Sequence, residues 1–269
     1  VDEECSCIRC GYSLRGLRAS GQCPECGLPV GVSLRGDLLR WADERFITAL
    51  ARGLNLILTG LALYAVCLIA VVGAGVGPAP LNGWDWWPVA RDAAFLGASL
   101  LTLAGYWIFS APDPGTSEGE QPHSARRVIR AAAVAEAAFK IVSLLLTIVD
   151  VRTPGVSAAF APGALAVLTP QEWAALLVRA ADLAAFAALI YGTVLHTRWL
   201  ARRTPNPALA AKARAFLWLL PTLYILGAPL CCAGPAVALV LYAGMLSDLR
   251  TDIIEILDWR ERGGHYRSR

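Results

Sequence analysis

Two stretches of this chain, Leu54–Val76 and Ala93–Ala111, run the length of a long helix without one charged side chain. Crossing about 30 Å of hydrocarbon takes roughly 20 helical residues. Both stretches meet that length, and in lipid a helix is the simplest chain that satisfies its own backbone groups. Ala131–Val149 and Trp173–Leu195 are comparable, with two charges apiece. Composition points the same way. Only 17% of the residues are charged, against about a quarter in soluble domains, and the mean hydropathy is +0.51. That is too little charge to coat a water-facing surface and too much apolar residue for a disordered chain. The spacing predicts an integral membrane protein.

A fifth uncharged run, Ala215–Ser247, is too long for one upright helix, and Pro229 to Pro235 at its middle carries the punctuation of a turn. We read it as two short spans, Ala215–Leu230 and Pro235–Leu249. Basic residues collect on the cytoplasmic side of membrane proteins. Arg9, Arg15, Arg18, Arg35, Arg40, Arg45 and Arg52 precede the first span, Arg126, Arg127 and Arg130 follow the second, and Arg198 to Arg214 follow the fourth. A basic tail from Arg250 closes the sequence, while only Arg91 and Arg152 fall in the two outer loops. Six spans place every cluster inside; five, with one kinked fifth helix, strand the tail outside. The expected fold is an all-α transmembrane helix bundle of six spans, alternatively five, in a bacterial inner membrane with both termini cytosolic. Trp84, Trp86, Trp87 and Trp173 then mark the outer interface. Thr169, Pro170 and Glu172 form the signature of a capped helix start.

Five cysteines lie within the first 26 residues. Cys7-Ile8-Arg9-Cys10-Gly11 and Cys23-Pro24-Glu25-Cys26-Gly27 are two C-x-x-C-G units. Two thiolates three residues apart can grip one metal when the chain turns sharply between them, and four complete the tetrahedron that Zn²⁺ prefers. The glycine permits the left-handed backbone such a turn requires. Cys7, Cys10, Cys23 and Cys26 are therefore the expected ligands of one structural zinc ion, with Cys5 as a possible substitute for Cys7. The pattern resembles the short zinc ribbons found at the ends of many bacterial proteins. With Tyr12-Ser13-Leu14-Arg15-Gly16-Leu17 between the knuckles, it also resembles the head of an uncharacterised family of bacterial multi-span membrane proteins. That resemblance covers residues 7–27 and implies a metal site and a layout, without an activity.

Four cysteine ligands leave no position for water or substrate, so the metal is expected to be structural. Arg9, Arg15 and Arg18 are outnumbered by Asp2, Glu3, Glu4 and Glu25, and a ribbon without surplus basic charge is a poor nucleic-acid ligand. No nucleic acid is expected; a cytosolic protein partner is. A secretory leader is not expected, since the first long apolar run begins only near Gly53, and reduced thiols suit the cytosol. The expected organisation is a ribbon over 1–33, an interfacial amphipathic linker helix over 34–52, a transmembrane bundle over 53–249 and a cytosolic amphipathic tail over 250–269. A plain cytosolic extension of the first span competes with the linker helix.

Charge at membrane depth costs at least about 2.5 kcal/mol and calls for a partner. On the third span Glu136, Lys140, Ser143, Thr147 and Asp150 share one helical face. Arg179 and Asp182 lie at matching depth on the fourth, and alanines on both helices allow close approach. A Lys140–Asp182 pair is expected across that interface, with Glu136 and Arg179 as neighbours and Asn55 and Thr59 as further candidates. Glu136–Lys140 and Arg179–Asp182 within single helices are the alternatives. His196 is expected near the inner headgroups. No catalytic motif is present: there is no G-x-S-x-G, H-E-x-x-H or phosphate-binding glycine loop. The expected protein is a non-catalytic membrane scaffold or regulator, the alternative being a small-solute or proton-coupled transporter built on the charged seam.

Overall fold

The computed structural model describes Cys7, Cys10, residues 12–27, 29–35, Leu39 and 42–76, then 87–114, 123–149, 169–204, 206–227 and 233–262. Cys5, Trp41, Trp84, Trp86, Asp150, residues 151–168 and the Cys231–Cys232 pair lie outside the described residues. After a short α1 (Val30–Arg35) come six long helices: α2 (Glu44–Val76), α3 (Trp87–Phe109), α4 (His123–Ile148), α5 (Pro170–Ala201), α6 (Pro207–Gly227) and α7 (Ala233–Glu261). No strand occurs among the described residues; residues 22 and 29 make one isolated bridge. Helices α2 to α6 are each long and apolar enough to cross a membrane, as the fold reading expected.

The helix starts follow local chemistry. Asp43 caps α2, its Oδ1 accepting from the N–H groups of Arg45 at 2.7 Å and Phe46 at 3.4 Å. Thr169 and Glu172 form a reciprocal capping box on α5, with Pro170 in the first turn. The linker region, in contrast, is not one separate helix. Residues 44–52 continue unbroken into the first span, because no helix breaker intervenes and Phe46, Ile47, Leu50 and Ala51 are buried in the bundle core. Likewise residues 250–261 prolong α7 rather than forming a detached tail, and Ile253 and Ile256 are buried in the same core.

Contacts between successive helices run in opposite directions all the way round. Gly53 of α2 lies against Gly105 and Phe109 of α3, whereas Gly60 meets Ala98 and Thr102. Ser99 meets Glu136 and Ser110 meets Arg130 between α3 and α4. Phe186 packs on Tyr224 and Tyr191 on Trp218 between α5 and α6. The long apolar run does break into a hairpin: Asn206 reaches Asp252, Lys212 pairs with Asp248, and Gly227 abuts Gly234. Arg250 donates to Asn55, and Arg260 to the Ala42 carbonyl, so α7 closes against α2. The result is an up-and-down ring of six helices. The start of α2, the turn after α3, the start of α4, the α5–α6 connection and the end of α7 share one end, here termed the base. Only α7 is too short in its apolar part to be a long span: Ala233–Ser247 covers about 22 Å at 1.5 Å per residue.

Tight packing concentrates toward the base. Ile47, Leu50, Leu54, Ile57, Tyr106, Phe109, Ile129, Leu189, Ile190 and Tyr242 are buried there. The outward faces carry exposed Leu63, Val66, Ile69, Leu145, Leu177 and Val240. An apolar exterior around a packed interior is what a bundle in lipid requires, since lipid tails are as apolar as leucine.

Candidate metal centre and buried polar column

The N-terminal module is small. Leu14 and Val30 are buried with Cys7 and Cys23, and Leu17 and Cys26 pack against them. The Cys7 N–H donates to the Tyr12 carbonyl at 2.7 Å, and the Gly27 N–H to the Cys23 carbonyl at 2.9 Å. Gly27 has φ +72°, the left-handed conformation the second knuckle needs; Gly11 lies outside the described residues. These turns bring the four predicted sulfurs together, all within 4.8 Å of one another. Cys7 Sγ is 3.5 Å from Cys26 Sγ, and Cys10 Sγ 3.6 Å from Cys23 Sγ.

Those separations decide the chemistry. A disulfide needs about 2.05 Å, so the four are free thiols. Metal–sulfur bonds of about 2.3 Å in a tetrahedron place the sulfurs about 3.8 Å apart, close to the separations of these two pairs and inside the 4.8 Å that bounds all four. A backbone hydrogen bond at Tyr12 favours the Cys10 thiolate. Partial desolvation and the three neighbouring sulfurs outweigh it and push that thiol up to about 12. Thiols this crowded resist ionising unless a cation compensates them, and a four-sulfur donor set suits a soft or borderline metal. The site can hold one metal ion. Ser33 Oγ, 3.8 Å from Cys7 Sγ, supports the cluster from α1.

Inside the bundle, Lys140 Nζ donates to Asp182 Oδ2 at 2.5 Å. The interhelical pair forms where the depth argument placed it. Glu136 is buried and accepts from Ser99 Oγ of α3 at 2.7 Å, with Lys140 and Asp182 as its charged neighbours. Arg179 is half-buried and faces Arg91 and Asp92 of α3 as well as Asp182. The second oxygen of Asp182 is buried without a hydrogen-bond partner among the described residues. Asn55 does not join this network, because Arg250 takes it at the α2–α7 contact; Thr59 is exposed.

Several members of the column were not singled out from the sequence. Asp92 pairs with Arg91 at 2.7 Å and accepts from Thr147 Oγ1 at 2.5 Å. Tyr106 and Tyr242 join hydroxyls at 2.9 Å across the ring. A signal existed: Asp92, Ser99, Thr102 and Tyr106 are spaced to share one face of α3, and all four are buried. His196 faces the interior of the bundle. It is 1% exposed, packed edge-on against Phe109 at 5.0 Å and beside Trp199. Its position near the end of α5 suggests the interface, but its face turns inward. His123 and Cys67 have no part in the metal cluster.

At the base, buried Arg203 pairs with buried Asp113 at 2.7 Å, tying the end of α5 to the turn after α3. The Arg203 carbonyl in turn accepts from the Leu39 N–H at 2.8 Å, fastening the segment that follows the ribbon. No family model, curated protein or solved structure matches the chain, so the likeness of its head to known ribbons rests on the cysteine pattern and the sulfur geometry together.

Proposed function

We propose that this protein is a non-catalytic membrane scaffold or regulator whose zinc-loaded ribbon presents a cytosolic docking site for another protein. The observation that carries the reading is the location of the cluster. The ribbon ends at Val30–Arg35, and Leu39 is already hydrogen-bonded to Arg203 at the base. The metal centre is thus tethered to the end of the bundle where the arginine clusters and the end of α7 also lie. Basic charge at that end supports a cytosolic orientation in a bacterial inner membrane, with both termini inside. The even, closed ring supports that placement if α7 also crosses; five of its six helices are long and apolar enough to do so. Zinc is the favoured occupant because four cysteines with C-x-x-C spacing are its commonest structural ligand set. A fully protein-ligated ion of this kind holds the ribbon's shape and offers no open position for catalysis.

The test begins with metal content: one zinc per chain in protein purified without added metal, lost in a Cys23→Ser/Cys26→Ser variant. Native membranes holding equal amounts of the two proteins are then compared by quantitative co-purification. A partner that depends on the intact ribbon supports the scaffold reading. The same partners with both chains refute it.

One observation favours a second reading, a transporter for protons or a small solute. Partly or fully buried polar groups on and around α4 run from Thr147 through Lys140 to Glu136, about 17 Å at 1.5 Å per residue, roughly half the depth of a bilayer core. Flux in vesicles, lost in a normally folded Lys140→Met variant, would favour transport over scaffold.

A further inference from the structure

Asp92, Asp113 and Asp182 are each met by a cation, from Arg91, Arg203 and Lys140 respectively. Glu136 is met by a hydroxyl. It is 3% exposed near the middle of α4, and its Oε1 accepts from Ser99 Oγ of α3 at 2.7 Å. The ammonium one turn along the same helix, Lys140, is bonded to Asp182 of α5 at 2.5 Å. The titratable groups facing Glu136 are Lys140 on its own helix, Asp182 on α5 and Tyr106 on α3. Tyr64 of α2 faces Lys140, its ring centre 5.9 Å from Nζ. Arg179 lies almost a turn further out on α5, where it faces Arg91 and Asp92 as well as Asp182.

Two carboxylates thus share one ammonium at this depth. With all three groups ionised, the set carries a surplus negative charge where charge is costly and two like charges crowd one site. One proton makes the set neutral. Asp182, bonded directly to the ammonium, is the poorer place for it. Glu136 is the better, with Oε1 accepting from Ser99 and Oε2 left to carry the proton. We propose that Glu136 is a proton-binding site, holding a proton on Oε2 and exchanging it with water.

The neighbours provide for exchange, because hydroxyls and carboxyls both donate and accept and can pass a proton along. Toward the base, Tyr106 joins Tyr242 at 2.9 Å, and Tyr242 bonds to Thr193. Toward the outer end, Asp182 keeps a buried oxygen with no hydrogen-bond partner among the described residues, and Thr147 and Asp92 lie beyond it. Glu136 sits between these two sets. The inference deepens the transport reading, rests on the same column and is independent of what the ribbon binds.

Infrared difference spectroscopy reads the proton directly. The full chain in phosphatidylcholine vesicles is stepped from neutral to alkaline pH, over the range in which circular dichroism shows the fold intact. The signal is the C=O stretch of a protonated carboxyl. A band is expected at neutral pH, shifted in heavy water, lost reversibly at alkaline pH and absent from Glu136→Gln. Isotopic labelling of the glutamate side-chain carboxyls should move it, and the same label on aspartate should not. Glu136 is the only buried glutamate among the described residues, so the labels decide even if Glu136→Gln does not fold. The absence of a band at neutral pH overturns the proposal, since the carboxylate is then ionised. A band that persists at alkaline pH and ignores heavy water marks a locked acid and overturns exchange. A band that moves with labelled aspartate places the proton on Asp182, and one lost on adding sodium at constant pH makes the ligand a metal cation; both overturn it. Proton flux is measured in the same vesicles. The expected band without flux keeps the site and removes the transport reading, whereas flux without the band keeps transport and removes the site.

Discussion

Gly105 sits where two helix backbones meet, and replacing it with alanine tests the packing directly. A Cβ there would lie 2.8 Å from the backbone nitrogen of Ile57 and 2.9 Å from the carbonyl oxygen of Gly53, both on α2. Neither atom can rotate away. Restoring an ordinary 3.4 Å contact requires α3 to withdraw by about 0.6 Å. On a dispersion well that withdrawal forfeits a quarter or more of each contact along the seam. Overpacking of this kind costs about 1–3 kcal/mol. Alanine's helix propensity returns up to about 1 kcal/mol, so the proper reference is a glycine elsewhere in a helix with room for the methyl. Gly97 and Gly244 have nothing within 4 Å of an added Cβ. Gly97→Ala and Gly244→Ala should therefore be neutral or slightly stabilising, and Gly105→Ala should fall about 2 kcal/mol below them. Equilibrium unfolding in mixed micelles, followed by tryptophan fluorescence, measures the gap. Coincident transitions for Gly105→Ala and Gly97→Ala would refute the close α2–α3 approach.

Other consequences follow from the charged groups. Lys140→Met strands Asp182, already only 23% exposed at its side chain, and should destabilise by about 3–5 kcal/mol; Lys140→Met/Asp182→Leu should recover most of that loss in the same unfolding assay. Asp113→Ala removes the buried carboxylate that pairs with Arg203 at the base, and a comparable loss is expected. Asp252 has its carboxyl pushed up by desolvation and by Glu255 and Asp248, against the opposing pull of Asn206. An acid raised on folding contributes stability below its unfolded value near 3.8, and loses it as the pH climbs through the higher folded value. Asp252→Asn should therefore be more stable than the parent above that window, with the two stability curves converging at acid pH. Parallel curves at every pH would remove Asp252 as the cause.

Much of the architecture was legible because membrane helices write their length and depth into composition. The uncharged runs located the spans, the Pro229–Pro235 stretch located the α6–α7 break, and Thr169–Glu172 located the start of α5. Arginine positions sorted the connections into two groups, and the ring places the group called inner at one end. The cysteine quartet was equally readable, since the turn between Cys23 and Cys26 is enforced by four residues and a left-handed glycine. Helix ends were less so. A short amphipathic segment such as 44–52 has the same periodicity whether it lies on a membrane or prolongs a span, and burial of Ile47 and Leu50 on the core decides for the second.

The sequence by itself determined which residues share a helical face and at what depth they sit, because a helix advances by a constant rise and turn. That was enough to set Lys140 opposite Asp182. It could not assign partners where several polar groups share one depth. Glu136 had Lys140 and Arg179 on offer, yet it is met by Ser99, because the antiparallel packing of α3 on α4 brings that hydroxyl to 2.7 Å. Asn55 was turned toward Arg250 by the closure of the ring, and His196 was turned into the core by the rotation of α5. Facing, rotation and closure are properties of all six helices packed at once, and no single segment contains them.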